Sequence, residues 1–141
     1  MSAIETAIKN WEQERITLHP PVEGAMATAA LSQTGRQYSR DVVALYCATG
    51  GMGEGESDSH LWTLWSLERV VSENSHYDRA YILFADFLLG SHCYCFKYEN
   101  EERSSVCVEY FGGDEPEPVA SSVQEFFKVF ISDPAKLGMF D

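Results

Sequence analysis

Hydrophobic residues recur at helical spacing through the first fifty positions of the chain. Ser2 and Glu5 have the separation of a capping box, which predicts that a helix begins there. An alanine-rich stretch at 22–32 favours a second helix, and Ser39 is placed to cap a third, which the glycine pair 50–51 ends. The apolar positions of these helices are Ile4, Ala7, Ile8 and Trp11, then Met26 and Leu31, then Val42, Val43, Leu45 and Tyr46.

Short apolar and alternating runs replace the helical spacing from position 61 onwards. Residues 61–65 have the composition of a strand, and residues 81–84 are continuously apolar, which predicts a strand buried on both faces in the middle of a sheet. Residues with ring side chains alternate with cysteines over 92–96, and two sets of side chains alternate in the same way over 106–111. Two further strands joined by a polar hairpin are therefore expected.

Two more helices and a rigid loop complete the predicted order. Ser66 is placed to cap a brief helix that ends near Asn74. The alternating acids and prolines of residues 115–118 lack two amide donors, so a loop and not a strand is expected there. Ser122 and Glu125 form another capping box at the start of the last helix. The apolar face of that helix consists of Val123, Phe126, Phe127, Phe130 and Ile131.

This order of elements predicts one α+β domain that covers residues 1–141. N-terminal helices and a closing C-terminal helix would pack on a central, largely antiparallel sheet. The length is typical of one domain with one core, and no repeat or linker interrupts the chain. With 45% hydrophobic and 23% charged residues, the composition is that of an ordinary globular protein.

The balance of charges narrows the choice of partners. There are 22 acidic against 10 basic residues, a formal net charge of −12, which repels phosphate backbones and anionic lipid. We therefore expect neither nucleic acid nor membrane as a partner, while a basic protein would fit. The N-terminus carries no export signal and no apolar run reaches about 18 residues, which predicts a cytoplasmic location.

Histidine and cysteine residues lack the spacing of a metal site or a catalytic pair. His92 and Cys93 are adjacent in a predicted strand, so their side chains point to opposite faces, and the cysteines are expected to be free thiols. The glycine-rich segment 50–55 superficially resembles a phosphate-binding loop. Acidic residues within it and after it place negative charge where a phosphate would lie, which disfavours nucleotide binding. We expect no catalytic residue, metal or cofactor. An enzyme would require His60, His76 or His92 within about 3 Å of a cysteine or aspartate.

Two acidic loops and one tryptophan are the candidate contacts with a partner. The acids are Glu54, Glu56 and Asp58 in the first loop and Asp114, Glu115 and Glu117 in the second. Trp62 and Trp65 lie three positions apart in a predicted strand, so one could pack inside while Trp62, nearer the first loop, remains partly exposed. The alternative is that both loops are only solvated and maintain solubility.

Several short motifs follow one another along most of the chain. A glycine pair at 50–51 precedes a Trp-Ser-Leu-Glu corner, an apolar strand that ends in Asp86, and a closing helix at 122–127. The residues that define these motifs are Trp65, Ser66, Leu67, Glu68, Phe84, Asp86, Gly90 and Phe126. In this order they resemble the SUKH superfamily, whose members bind other proteins. Tyr38 and Ser39 depart from the family's Leu-Pro step. Asp86 is expected to accept backbone donors in a turn.

The resemblance implies a function in protein recognition. Bacterial members are immunity proteins that bind and neutralise secreted toxin domains, many of them nucleases, whose basic surfaces an acidic inhibitor can cover. Eukaryotic members resemble scaffolds in regulatory assemblies. An immunity protein is therefore our first hypothesis for this chain, and a cytoplasmic scaffold without a toxin partner is the alternative. A neighbouring gene for a long secreted protein would distinguish the two.

Overall fold

A five-stranded antiparallel sheet forms the middle of the fold, in a computed structural model that describes residues 1–139. The strands are β1 (Trp62–Leu64), β2 (Ile82–Phe87), β3 (His92–Tyr98), β4 (Ser104–Glu109) and β5 (Glu117–Ala120). They lie in the sheet in the order in which they follow one another along the chain, and every neighbouring pair is antiparallel. The strand predicted at 81–84 is β2, which has a neighbour on each side, although β3 occupies the central position.

Five helices accompany this sheet within residues 1–139. They are α1 (Ala3–Gln13), α2 (Gly24–Ser32), α3 (Arg40–Ala48), α4 (Leu67–Asn74) and α5 (Val123–Ser132), and a 3₁₀ turn follows at Pro134–Leu137. The predicted α+β architecture is confirmed. None of the helices in the described part of the chain has the length and apolar character that crossing a membrane would require.

Side-chain caps begin most of the helices where the sequence places them. Ser2 Oγ accepts from the Glu5 amide at 3.1 Å, and Glu5 Oε1 accepts from the Ser2 amide at 3.2 Å, so the first capping box is complete. Ser66 caps α4 through its Oγ, which accepts from the Arg69 amide at 3.3 Å, without a reciprocal bond. Ser39 stands at the start of α3 but does not cap it, because its hydroxyl bonds Asp41 instead.

The last helix has only half of its predicted capping box. Ser122 Oγ accepts from the Glu125 amide at 3.0 Å. The Glu125 carboxylate turns one residue further back and accepts from the amide and the hydroxyl of Ser121. The Ser122 bond satisfies an amide that the first turn of the helix leaves free, so the helix begins at the expected residue, whereas the Glu125 bonds hold the residue before the cap.

An aromatic core joins α1 and α5 to one face of the sheet. The Trp62 ring lies 4.8 Å from that of Phe130 and 6.1 Å from that of Trp11, and Phe84 stacks on Phe96 at 3.9 Å. All of these rings are buried. Burial of each such side chain contributes about 1.5–3 kcal/mol, so this cluster is a major source of stability.

The loop predicted at residues 115–118 is wrong over its second half. Glu117 and Pro118 belong to β5, where they pair in register with Val108 and Cys107. Because β5 is an edge strand, the missing amide of a proline need not interrupt a ladder on both sides. The preceding strand has the predicted length but lies two residues earlier in the chain, because β4 runs from Ser104 to Glu109.

Candidate functional site

The first acidic loop borders a cleft beside α4. The cleft has a volume of about 830 Å³, and its walls include Glu54, Glu56, Glu68 and Asp86. The Glu54 side chain is exposed, whereas Glu56 is partly buried and accepts from the Thr17 amide at 2.9 Å. That hydrogen bond lowers the pKa of the Glu56 carboxyl. Glu54 is therefore the more available of these two predicted contacts.

Asp58 is held by the fold, which corrects its choice as a partner contact. Only 5% of its surface is exposed. Oδ2 accepts from the indole N–H of Trp11 at 3.0 Å, and Oδ1 accepts from the amides of His60 and Trp62 at 2.9 and 3.1 Å. Burial raises the pKa of this carboxyl, although the hydrogen bonds oppose that effect. Asp58 therefore ties α1 to the start of β1.

Trp62 is not an exposed anchor, and its choice as a contact is also corrected. Its side chain is fully buried, because it packs from β1 against aromatic rings of α1 and α5. Its Nε1 has no hydrogen-bond partner among residues 1–139. Trp65 is buried as well, since the guanidinium of Arg69 lies 4.6 Å above its ring. The two tryptophans lie on opposite faces of the sheet, but neither is exposed, because other side chains cover both faces.

The second acidic loop is partly neutralised from within the chain. Asp114, Glu115 and Glu117 are all exposed. Arg79 donates to the carbonyl of Asp114 at 2.9 Å and forms an ion pair with Glu115 at 3.2 Å. The same guanidinium pairs with the buried Glu109 at 3.1 Å. Asp114 and Glu117 form no ion pair within the described residues, so their charges remain available.

The family-signature residues build a structural corner between β1, α4 and β2. Trp65 Nε1 donates to Asp86 Oδ2 at 2.6 Å, and Arg69 pairs with the same oxygen at 3.2 Å. Asp86 lies inside β2, so the expectation that it accepts backbone donors in a turn is wrong. Leu67, Phe84 and Phe126 are buried, and Glu68 is exposed in the first turn of α4. Gly90 adopts a φ of +90° in the turn between β2 and β3.

The histidines and cysteines form no reactive constellation in the described part of the chain. His92 is buried, stacks on Phe87, and has its Nε2 3.4 Å from the hydroxyl of Tyr94. Burial lowers the pKa of His92. Cys95 and Cys107 are free thiols paired in register across β3 and β4. No group of three or more potential metal ligands is present among residues 1–139.

Sequence reasoning missed three residues that shape the surface around the second acidic loop and the turn between β2 and β3. Arg79 carries no motif, yet it organises the second acidic loop through its contacts with Glu109 and Glu115. Leu88 and Leu89 are exposed in the turn between β2 and β3, where polar residues are usual. Two leucines directly before Gly90 are the sequence signal that could have indicated an exposed apolar turn.

Comparison with known proteins assigns this architecture to a family. No curated protein and no solved structure matches the chain. The family model that matches covers residues 28–129, which is well over half of the chain and includes α3, α4, the whole sheet and most of α5. That range contains every residue of the corner formed by Trp65, Arg69 and Asp86. The chain therefore belongs to the SMI1 / KNR4 family (SUKH-1).

Proposed function

We propose that this chain is a non-enzymatic immunity protein that neutralises a cognate toxin by binding it directly. Family membership is consistent with a domain of that kind. The observation that carries the proposal is the exposed negative charge of its loops on a protein of net charge −12. Glu54, Asp114 and Glu117 are exposed and form no ion pair within residues 1–139.

The same charge supports a basic partner, such as a nuclease domain. A nuclease presents lysine and arginine side chains to the phosphates of its substrate. An acidic protein that covers such a surface excludes the substrate and also attracts the enzyme over long distances, which accelerates association. Neutralisation would then be stoichiometric, since the mechanism is occlusion and involves no turnover.

The proposal is tested with the toxin domain encoded beside the gene for this chain. The two proteins are co-expressed, purified together, and assayed for toxin activity while the molar ratio is varied. We expect a stable complex and complete inhibition at an equimolar ratio. The absence of such a gene, or a toxin that remains active with excess chain, would contradict the proposal and favour a scaffold.

A pair of matched double variants tests the contribution of the charges. D114N/E117Q removes two exposed carboxylates from the second acidic loop, whereas E23Q/E101Q removes two exposed carboxylates elsewhere. Exposed pairs contribute roughly 0.2–1 kcal/mol each, so we expect the first variant to bind about two- to thirtyfold more weakly. The second variant has the same net charge and should bind almost as the wild type does. Equal losses in both variants would indicate general attraction without a defined surface.

A further inference from the structure

Large exposed hydrophobic side chains gather at one end of the sheet. The register pairs Trp62 with Phe87 and Phe87 with His92, while Cys93 pairs with Glu109. The start of β1, the turn between β2 and β3, and the end of β4 therefore lie together. The apolar end, as we call it, comprises Leu61, Leu88, Leu89, Tyr110 and Phe111, which are 46%, 48%, 97%, 52% and 54% exposed.

Four of these five residues have an unfavourable backbone conformation. Leu61, Leu88, Leu89 and Phe111 have φ values between +54° and +63°, in the left-handed region. Among the described residues, Arg15 is the one other non-glycine residue with a positive φ. An L-residue disfavours this region by about tenfold or more, and asparagine tolerates it much better. Leu89 is almost fully exposed, so burial within the chain does not compensate for its conformation.

Negative charge borders the apolar end on the side of the second acidic loop. Glu117 begins β5 beside the end of β4, and its charge contributes, after burial, to a raised pKa of Tyr110. Asp114 lies in the loop between them. Arg79, which contacts this loop, is already paired with Glu109 and Glu115. An apolar centre with a charged rim is the usual anatomy of a protein interface.

We infer that the apolar end is the surface on which the toxin docks, and that the toxin presents an apolar side chain bordered by lysine or arginine. This inference rests on the proposed function and deepens it. A second copy of the chain fits less well, because Asp114 and Glu117 of the two copies would repel one another. An anionic membrane is disfavoured for the same reason.

The variant L89N tests the inference without disturbing the fold. Asparagine suits the left-handed backbone of Leu89, so the melting temperature should stay the same or rise. Binding to the neighbouring toxin domain, measured by calorimetry, should weaken by about ten- to a hundredfold, as expected for a leucine buried in a complex. M26Q replaces another exposed apolar residue, 65% exposed on α2, and should bind as the wild type does.

A second measurement makes the inference independent of the toxin's identity. Changes in the NMR chemical shifts of the chain's backbone amides are recorded on addition of the toxin domain. They are recorded separately on addition of a cationic peptide of alternating leucine and lysine. Shifts confined to the apolar end and abolished by L89N, with either probe, support the inference.

The possible failures are distinguishable. If the peptide maps to the apolar end while the toxin domain does not bind, the proposed function fails and the inferred surface stands. If the toxin binds wild type and L89N equally, the function stands and the inference is overturned. Shifts from neither probe, or self-association that L89N abolishes, would also overturn the inferred partner surface.

Discussion

Replacing Asp58 with asparagine separates the carboxylate that the fold uses from those that a partner could use. In the wild type, Oδ1 accepts from the amides of His60 and Trp62, and Oδ2 accepts from the Trp11 indole. The single oxygen of asparagine can still serve the two backbone amides. Its amide nitrogen then faces the indole N–H of Trp11, so that two donors oppose each other.

The expected loss follows from this geometry. A hydrogen bond to a charged acceptor contributes about 1.5–3 kcal/mol, and a buried donor left without a partner costs about 1–3 kcal/mol. The neutral amide avoids part of the desolvation that raises the pKa of Asp58. We therefore expect D58N to lower the free energy of unfolding by about 1–3 kcal/mol. For a chain of this size, each kcal/mol corresponds to a fall of about 2–4 °C in melting temperature.

Urea unfolding followed by tryptophan fluorescence measures the effect, because all three tryptophans are buried. E54Q makes the same chemical change on an exposed carboxylate of the same loop and should alter stability by less than about 0.5 kcal/mol. Below its unfolding transition, D58N should still bind the toxin domain. Normal stability combined with lost binding would refute the structural role of Asp58 and restore it as a contact.

Two further predictions concern the junction of α4 with the sheet and the dependence of stability on pH. The Asn74 side chain accepts from the Leu83 amide at 2.9 Å and donates to the Leu83 carbonyl at 2.8 Å. In urea titrations, N74A should therefore lower the free energy of unfolding by about 2–4 kcal/mol. An effect below about 0.5 kcal/mol would contradict this role. Burial lowers the pKa of His92, so the unfolded chain binds its proton more readily, and the contribution of His92 to stability should decrease as pH falls through about 6.5. Melting temperatures measured between pH 7.5 and 5 should show that decrease in the wild type and in the control H76Q. The dependence of melting temperature on pH should be weaker in H92Q. The same dependence in all three proteins would exclude His92 as the source of the decrease.

Helix starts could be predicted from the sequence because caps act over three or four residues. Ser2, Ser66 and Ser122 each accept from an amide three positions ahead, and that spacing is visible in the sequence itself. Ser39 shows the limit of this reasoning, since its hydroxyl bonds Asp41 and lies 2.6 Å from the hydroxyl of Ser104, which is distant in sequence. A cap prediction fails where other partners, near or distant in sequence, compete for the hydroxyl.

The exposure of single residues could not be predicted, because it depends on which elements cover each face. Alternation correctly separates Trp62 from Trp65, but it does not reveal that α5 covers one and Arg69 of α4 covers the other. Pro118 belongs to a strand only because that strand is at the edge of the sheet, and strand order is set by tertiary packing.

The prediction of the partner-binding surface needed the largest correction, again because exposure depends on tertiary packing. The two acidic loops were visible from composition, yet Asp58 is buried and Glu115 is paired with Arg79. Leu88 and Leu89 gave a sequence signal, but the apolar end as a whole could not be predicted, because its members come from three separate segments. Only the register of β1 to β4 brings Leu61, Leu89 and Phe111 to one end of the sheet.

The most direct test of toxin neutralisation by this acidic surface is a calorimetric titration of the chain with the neighbouring toxin domain at about 50 and 500 mM salt. Screening shortens the reach of exposed charges at the higher concentration. We predict a one-to-one complex that binds more weakly at high salt, with a smaller salt dependence in D114N/E117Q than in E23Q/E101Q. The absence of a complex, or an affinity that does not change with salt, would contradict the account.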